Sequence, residues 1–289
     1  MHLCSLRQSL NRRATGVDLK RSFKPNRMAD RKGGGCSMAG RGNQVPTKLK
    51  QDAIVEAVFE VRFDTPTTAI PEIFLGRLAD HQPWNGFEQR RLPASQIPSP
   101  LRQVDPNLRY QPLIELAGVA KDRSVRIGPQ VLSYHRLKPY VGWERFKPEL
   151  LEAVDGLFSK APGLNIQRLG LRYMNALRAD VHTIKSIADL DLTLTIAGDC
   201  VSGNVNVNFT VDVSSDTQCT VRIATFEFVH GDLPPNTSLY VDVDVFTKED
   251  FRTKDRNIVM NWIEFAHSKE KEQFFRLLPQ PTIELLKEI

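Results

Sequence analysis

The cleanest pattern in the chain is an alternation over Ile54–Phe63. Val55, Ala57, Phe59, Val61 and Phe63 fall on one face, and Glu56, Glu60 and Arg62 on the other. A period of two over this length predicts a strand with one buried face. Pro66 and Pro71 bracket the turn after it, and Ile73, Phe74, Arg77 and Leu78 recur at helical spacing within Ile70–Ala79. Pro93, Pro98, Pro100 and Pro106 punctuate Leu92–Pro112. Proline donates no ladder hydrogen bond, so this stretch is expected to be a long loop.

Strand patterns resume at Leu113–Ala117, Ser124–Ile127 and Gln130–Leu137. Trp143–Phe158 predicts a helix, with Phe146, Leu150, Val154, Leu157 and Phe158 on one stripe and Pro148 in its first turn. The series then starts again. A strand is expected at Ile166–Leu177 and a short helix or turn at His182–Leu190. Further strands follow at Leu192–Ile196, Asn204–Val213, Cys219–Val229 and Leu239–Phe246, then a helix from Asn257 to His267 that continues through Phe274, Phe275 and Leu278.

The halves are read on one order, β-α-ββββ-α, with three of the four later strands marked in the first, and each closes on a helix bearing a tryptophan, Trp143 and Trp262. Their openings match locally, Val61-Arg62-Phe63 against Leu171-Arg172-Tyr173. The predicted fold class is α+β: two tandem helix-on-antiparallel-sheet units, residues 49–162 and 163–289, preceded by a disordered basic tail at residues 1–48. A single α+β domain without duplication satisfies the same pattern.

Charge changes the picture only at the N-terminus. The chain as a whole is +5, but residues 1–50 hold twelve Lys or Arg against Asp18 and Asp30 alone, and the remainder is net acidic. Residues 1–48 are rich in Arg, Lys, Gly, Ser and Asn and hold too little apolar surface to offset the entropy of ordering. Three readings stand for that tail: a nucleic-acid-binding arm, an organellar transit peptide, or an over-long start with Met28 or Met38 as the true beginning. Nucleic-acid binding is therefore expected, if anywhere, through the tail. No apolar run is long enough to span a bilayer, so no membrane partner is expected. Cys4, Cys36, Cys200 and Cys219 show no paired spacing and read as reduced thiols of a cytoplasmic protein.

Three short stretches carry a resemblance. Ala57-Val58-Phe59-Glu60-Val61-Arg62-Phe63, Tyr140-Val141-Gly142-Trp143-Glu144 and Leu169-Gly170-Leu171-Arg172-Tyr173-Met174-Asn175 resemble signature stretches of a sporadically distributed prokaryotic family of unknown function. The resemblance covers residues from about 50 to the C-terminus. It implies a bacterial or archaeal source and brings no activity or site residues with it.

Motifs of known chemistry are missing from the sequence. There is no nucleophile elbow, phosphate-binding loop or dinucleotide fingerprint, so no cofactor is expected. His81, His135, His182, His230 and His267 lack ligand spacing. Asp242 and Asp244, two apart on one strand, form a weak candidate for a hard cation, and the solvent face of an amphipathic strand explains them equally. The most suggestive pattern is a set of strand-borne arginines, Arg62, Arg90, Arg126, Arg172 and Arg222, with Glu60 among them. Guanidiniums converging on one cavity bind phosphate or carboxylate. Asn175, with the ladder Asn204, Asn206 and Asn208, adds hydrogen-bonding surface. The candidate ligand set is accordingly Glu60, Arg62, Arg126, Arg172, Asn175 and Arg222. Two functions remain: a non-enzymatic binding module engaging a protein partner or small ligand, and an enzyme or sensor acting on an anionic, phosphorylated ligand through those arginines.

Overall fold

The computed structural model describes Pro46 and residues 49–64, 71–161, 163–229 and 231–287. The tail expected to be disordered lies, apart from Pro46, outside the described residues. Eleven strands and six α-helices follow one another in the described chain. β1 (Ile54–Asp64) leads to α1 (Pro71–Ala79), β2 (Glu88–Arg91), α2 (Ser99–Val104) and α3 (Pro106–Arg109). Then come β3 (Ile114–Ala117), β4 (Arg123–Gly128), β5 (Val131–Leu137) and α4 (Trp143–Lys160). The rest is β6 (Asn165–Arg178), β7 (Thr195–Ile196), β8 (Asp199–Cys200), β9 (Asn206–Asp212), β10 (Thr217–Thr225), β11 (Thr237–Thr247), α5 (Arg256–Leu277) and α6 (Gln280–Leu286).

Nine strands form one antiparallel sheet in the order β2-β3-β4-β5-β1-β6-β11-β10-β9; β7 and β8 make a separate hairpin. β1 and β6 meet at its centre, with Phe59 opposite Leu171 and Val61 opposite Leu169. On its other side β1 aligns Phe59 with Tyr134 and Val61 with Leu132 of β5. The alternation read from the sequence therefore becomes two faces. Ala57, Phe59, Val61 and Phe63 are buried in one cluster with Leu169, Leu171, Tyr173, Val241, Val243 and Val245. That cluster takes in Phe146, Leu150 and Leu157 of α4, and Val259, Ile263 and Ala266 of α5. α5 packs against β6, β10 and β11, while α4 packs against β5 and α5. Residues of the other parity, Glu56, Glu60 and Arg62 with Arg172 and Asp242, face away from this core.

Local chemistry accounts for the two long helices. Asp255 caps α5, its carboxylate accepting the Asn257 N–H at 2.8 Å, which satisfies one of the unpaired donors of the first turn. Gly142 stands at the N-cap of α4 with φ 82°, a left-handed conformation that suits glycine. Pro148 lies inside α4 at its sixth residue, beyond the first turn the sequence suggested.

Two expectations need correction. The proline-rich stretch is not a plain loop: it folds into a 3₁₀ turn at Pro93–Gln96 and into α2 and α3, each with a proline at its first or second position. Proline breaks a helix interior but is preorganised for a helix start. β2 carries the strand-borne Arg90, but its bounds were not marked, because Glu88-Gln89-Arg90-Arg91 has no apolar position. Among the described residues no helix is long and apolar enough to cross a membrane.

The register predicts the energetics. Phe59 is wholly buried at the centre of the sheet. Phe59→Ala should lower the unfolding free energy by about 3–5 kcal/mol, read from the urea midpoint at an unchanged slope.

Candidate functional site

The arginine set does share one surface. Arg62, Arg126, Arg172 and Arg222 all lie on the face of the sheet opposite the helices, with Arg90 at its β2 end, yet the face does not accumulate positive charge. Glu115 of β3 accepts the Arg126 Nε–H at 2.9 Å and also bonds Arg90. Glu60 accepts from Arg62 at 2.7 Å and from Arg168 at 2.9 Å. Arg172 holds Asp242 through two bonds, Nε to Oδ1 at 2.7 Å and Nη2 to Oδ2 at 2.5 Å. Arg222 takes neutral acceptors, donating to Asn206 Oδ1 at 2.9 Å and to the Phe228 carbonyl at 3.1 Å.

Burial works against ionising Glu115, but its bonds from Arg126 and Arg90 hold its carboxyl below the ordinary range. Asp242 is committed to Arg172. Asp244 is pushed upward by burial, against the pull of Arg168 and Arg172. Among the described residues no three metal-ligating side chains gather there or elsewhere. Asn175 stands apart from the arginines. It points to the helix side, almost wholly buried, and donates to the carbonyls of Tyr173 at 3.3 Å and Val241 at 3.2 Å. Of the asparagine ladder, Asn206 and Asn208 lie on β9 and Asn204 precedes it.

The same polar face holds a hydrogen-bonded chain that sequence spacing did not single out. His135 Nδ1 meets Glu56 Oε1 at 2.7 Å, and His135 Nε2 meets Ser133 Oγ at 2.9 Å. Ser–His–Glu is the order of nucleophile, base and orienting acid. But β5 runs inside the sheet, and Ser133 is registered between Glu60 of β1 and Arg126 of β4. The backbone N–H groups around it serve the ladder, which leaves none to hold an oxyanion, and Glu60 lies alongside. The chain satisfies buried polar atoms.

A pocket opens on the helix side, where β1 begins. Its lining includes Asp52, Ile54, Tyr140, Trp143, Tyr173, Asn175, His267, Glu270, Lys271 and Phe274, around a cavity of about 70 Å³. The register of β1 on β6 shifts between Ile54 and Glu56, a bulge that parts the strands from regular pairing at the pocket floor. Trp143, the first residue of α4, stacks on the His267 ring of α5 with centroids 3.8 Å apart and planes 10° apart. The Tyr140 and Tyr173 hydroxyls are 3.2 Å apart, and Tyr173 Oη lies 3.4 Å from His267 Nδ1.

Glu270 is the anomaly of this site. α5 buries Val259, Trp262, Ile263, Ala266, Phe274 and Leu277 along one stripe, and Glu270 occupies a position of that stripe. Its residue is only 5% exposed. Among the described residues its carboxyl has no hydrogen-bond partner. Burial raises its pKa to about 8, although Lys271 pulls the other way. Burial also lowers His267 to about 3, so the ring stacked on Trp143 is neutral. The sequence signal was available: a lone acid in an otherwise apolar helical stripe.

The two thiols of the described residues are unpaired. Cys219 is buried and burial pushes it up to about 12, whereas Cys200 is exposed.

Both sites yield direct tests. Asp242→Ala should cost about 2 kcal/mol, below the 3–5 of a fully buried pair because Arg172 is half exposed. The double variant Arg172→Met/Asp242→Leu should recover most of that loss in the same denaturation assay. For Glu270 the sign follows from its raised pKa. Between about 4.5 and 8 the unfolded chain has released this proton and the folded chain retains it, so stability falls as pH rises across that window. Glu270→Gln should remove this slope, gaining in urea midpoint over the wild type at pH 8 but not at pH 4.

No protein-family model matches the chain, and no curated protein matches it either.

Proposed function

We propose that the chain is a non-enzymatic binding module, and that its site is the aromatic pocket at Glu270, suited to the head group of an organic cation. The observation that carries this reading is Glu270 itself. A carboxyl on a buried apolar stripe with no bonded donor is costly, and this one borders a cavity in which a cationic ligand would supply the donor. Trp143, Tyr140, Tyr173 and Phe274 line the same pocket, and aromatic-lined pockets are the setting in which ammonium and guanidinium groups are held. Among the described residues of the lining, Lys271 is the only Lys or Arg. A cavity of about 70 Å³ is several times the ~10–15 Å³ needed to hold one water, which suits a head group of a few heavy atoms.

The stretches on which the family resemblance rests supply Tyr140, Gly142, Trp143, Tyr173 and Asn175 to this pocket. The same reading treats residues 49–162 and 163–289 as tandem units. What supports it is strand order: β1 lies beside β5, the last strand of its half, β6 lies beside β11, the last of its own, and β1 and β6 adjoin. The pocket then draws Tyr140 and Trp143 from the first half and Tyr173, His267 and Glu270 from the second. The alternative, an enzyme or sensor for an anionic ligand, has less support, because Glu60, Glu115 and Asp242 already occupy Arg62, Arg126 and Arg172.

The test is a thermal-shift titration at pH 6 and pH 8 with methylammonium, tetramethylammonium, methylguanidinium, acetate and phosphate. A ligand that prefers the folded state raises the melting temperature. The cations should do so, more strongly at pH 8 because Glu270 must be ionised to pair with them, and Glu270→Gln should abolish the effect. A response to phosphate alone, lost in Arg172→Met, would transfer the site to the sheet face. No response to any probe would count against both.

A further inference from the structure

The two edges of the nine-stranded sheet are built differently. β2, at one end, is four residues long, and three of the four are charged: Glu88, Arg90 and Arg91. A short charged edge resists pairing with another strand. β9, at the other end, runs seven residues, Asn206-Val207-Asn208-Phe209-Thr210-Val211-Asp212. It contains no Lys, Arg, Glu or Pro, and its single charge sits at its last residue. Among the described strands it pairs only with β10. Phe209 is 39% exposed and Val211 37%. Among the described residues none of the usual protections of a free edge is present.

β9 is also held straight from behind. Thr210 Oγ1 bonds Thr220 Oγ1 at 2.7 Å, Arg222 bonds Asn206 at 2.9 Å, and Gln218 bonds Asp212 at 3.1 Å. Lys248 pairs with Asp212 at 2.9 Å, so the one charge of the strand is already compensated. The outer row of backbone donors and acceptors is therefore rigid before any partner arrives, which lowers the entropy cost of strand addition.

The sequence of β9 is complementary to itself when reversed. Antiparallel pairing centred on Phe209 sets Phe209 against Phe209 of a second copy, Val207 against Val211, Asn208 against Thr210, and Asn206 against Asp212. Every apolar side chain meets an apolar one on the helix side of the sheet. Every polar one meets a hydrogen-bonding partner on the other side. No like charges are opposed, because the two Asp212 residues fall at opposite ends of the ladder. A two-fold interface requires this kind of self-complementarity, in which one patch serves both subunits. Cross-strand aromatic and β-branched pairs are among the favourable ones.

We propose that β9 is a homodimer edge: two copies of this chain join antiparallel through Asn206–Asp212, centred on Phe209, into one continuous eighteen-stranded sheet. This is independent of the pocket at Glu270, which lies on other elements.

Sedimentation velocity and hydrogen exchange on the full chain, over a range of protein concentrations, test it. The expected result is a dimer whose fraction rises with concentration, together with increasing protection of amides within 206–212. Phe209→Lys should weaken dimerisation at least tenfold and remove that protection, while leaving the circular dichroism spectrum unchanged. If that variant misfolds, Val211→Lys, similarly exposed, serves in its place. A chain that remains monomeric at every concentration overturns the proposal. So does a dimer that both lysine variants leave intact, or one that forms without protecting 206–212.

Discussion

The antiparallel pairing of β1 with β6 is the constraint from which the other features follow. Each is paired on both sides, so neither can slip without moving the whole sheet. Strand side chains have a period of two, and a shift of one residue would drive Glu56, Glu60 and Arg62 into the helix-covered core while expelling Phe59 and Val61. The register thus decides which residues become hydrophobic core and which become charged surface. It also decides where regular pairing stops. Between Ile54 and Glu56 the ladder shifts, and the aromatic pocket opens at that irregularity.

The charged face shows why an array of arginines is not in itself an anion site. Each half-buried guanidinium on a sheet has lost part of its water, and the nearest replacement is a carboxylate on the neighbouring strand. Arg126 with Glu115, and Arg172 with Asp242, are such replacements across a strand pair. Ion pairs of this kind offset desolvation and add modest net stability. Their second effect is on register, since displacing one strand would strand several charges at once. The Glu56–His135–Ser133 chain belongs to the same network. It shares the residue order of a catalytic triad and lacks the free backbone donors that chemistry would require.

Glu270 inverts this logic. On the sheet face every buried carboxylate has a partner, and the partners account for its being there. In the pocket a carboxyl occupies an apolar stripe, with rings around it and no donor bonded to it among the described residues. A place where local rules conflict with the fold, with no compensating donor among the described residues, is where functional or strained sites are expected. The stacked Trp143 and His267 rings and the paired Tyr140 and Tyr173 hydroxyls keep the walls of the pocket in place.

Much of this was legible in the residues alone. The alternation of Ile54–Phe63 and the stripes of α4 and α5 fixed element type and the buried face, because those depend on the period of side chains along one segment. The confinement of net positive charge to the first fifty residues was equally plain. The bounds of the charged strand β2, and the short helices α2 and α3, escaped notice. The first is an edge that buries nothing on its own, and the second start at prolines that equally well end regular structure. The arginines were recognised as strand-borne, but their neutralisation was invisible, since Arg172 and Asp242 are seventy positions apart and meet only through the β6–β11 register. Asn175 was grouped with them and lies instead on the core side. Glu270 stood in plain sight within its stripe, but only the convergence of α4, α5, β1 and β6 made it one wall of a pocket. Periodicity is a local property and the sequence carries it whole; which distant side chains become neighbours is set by strand order and register, and these belong to the folded chain.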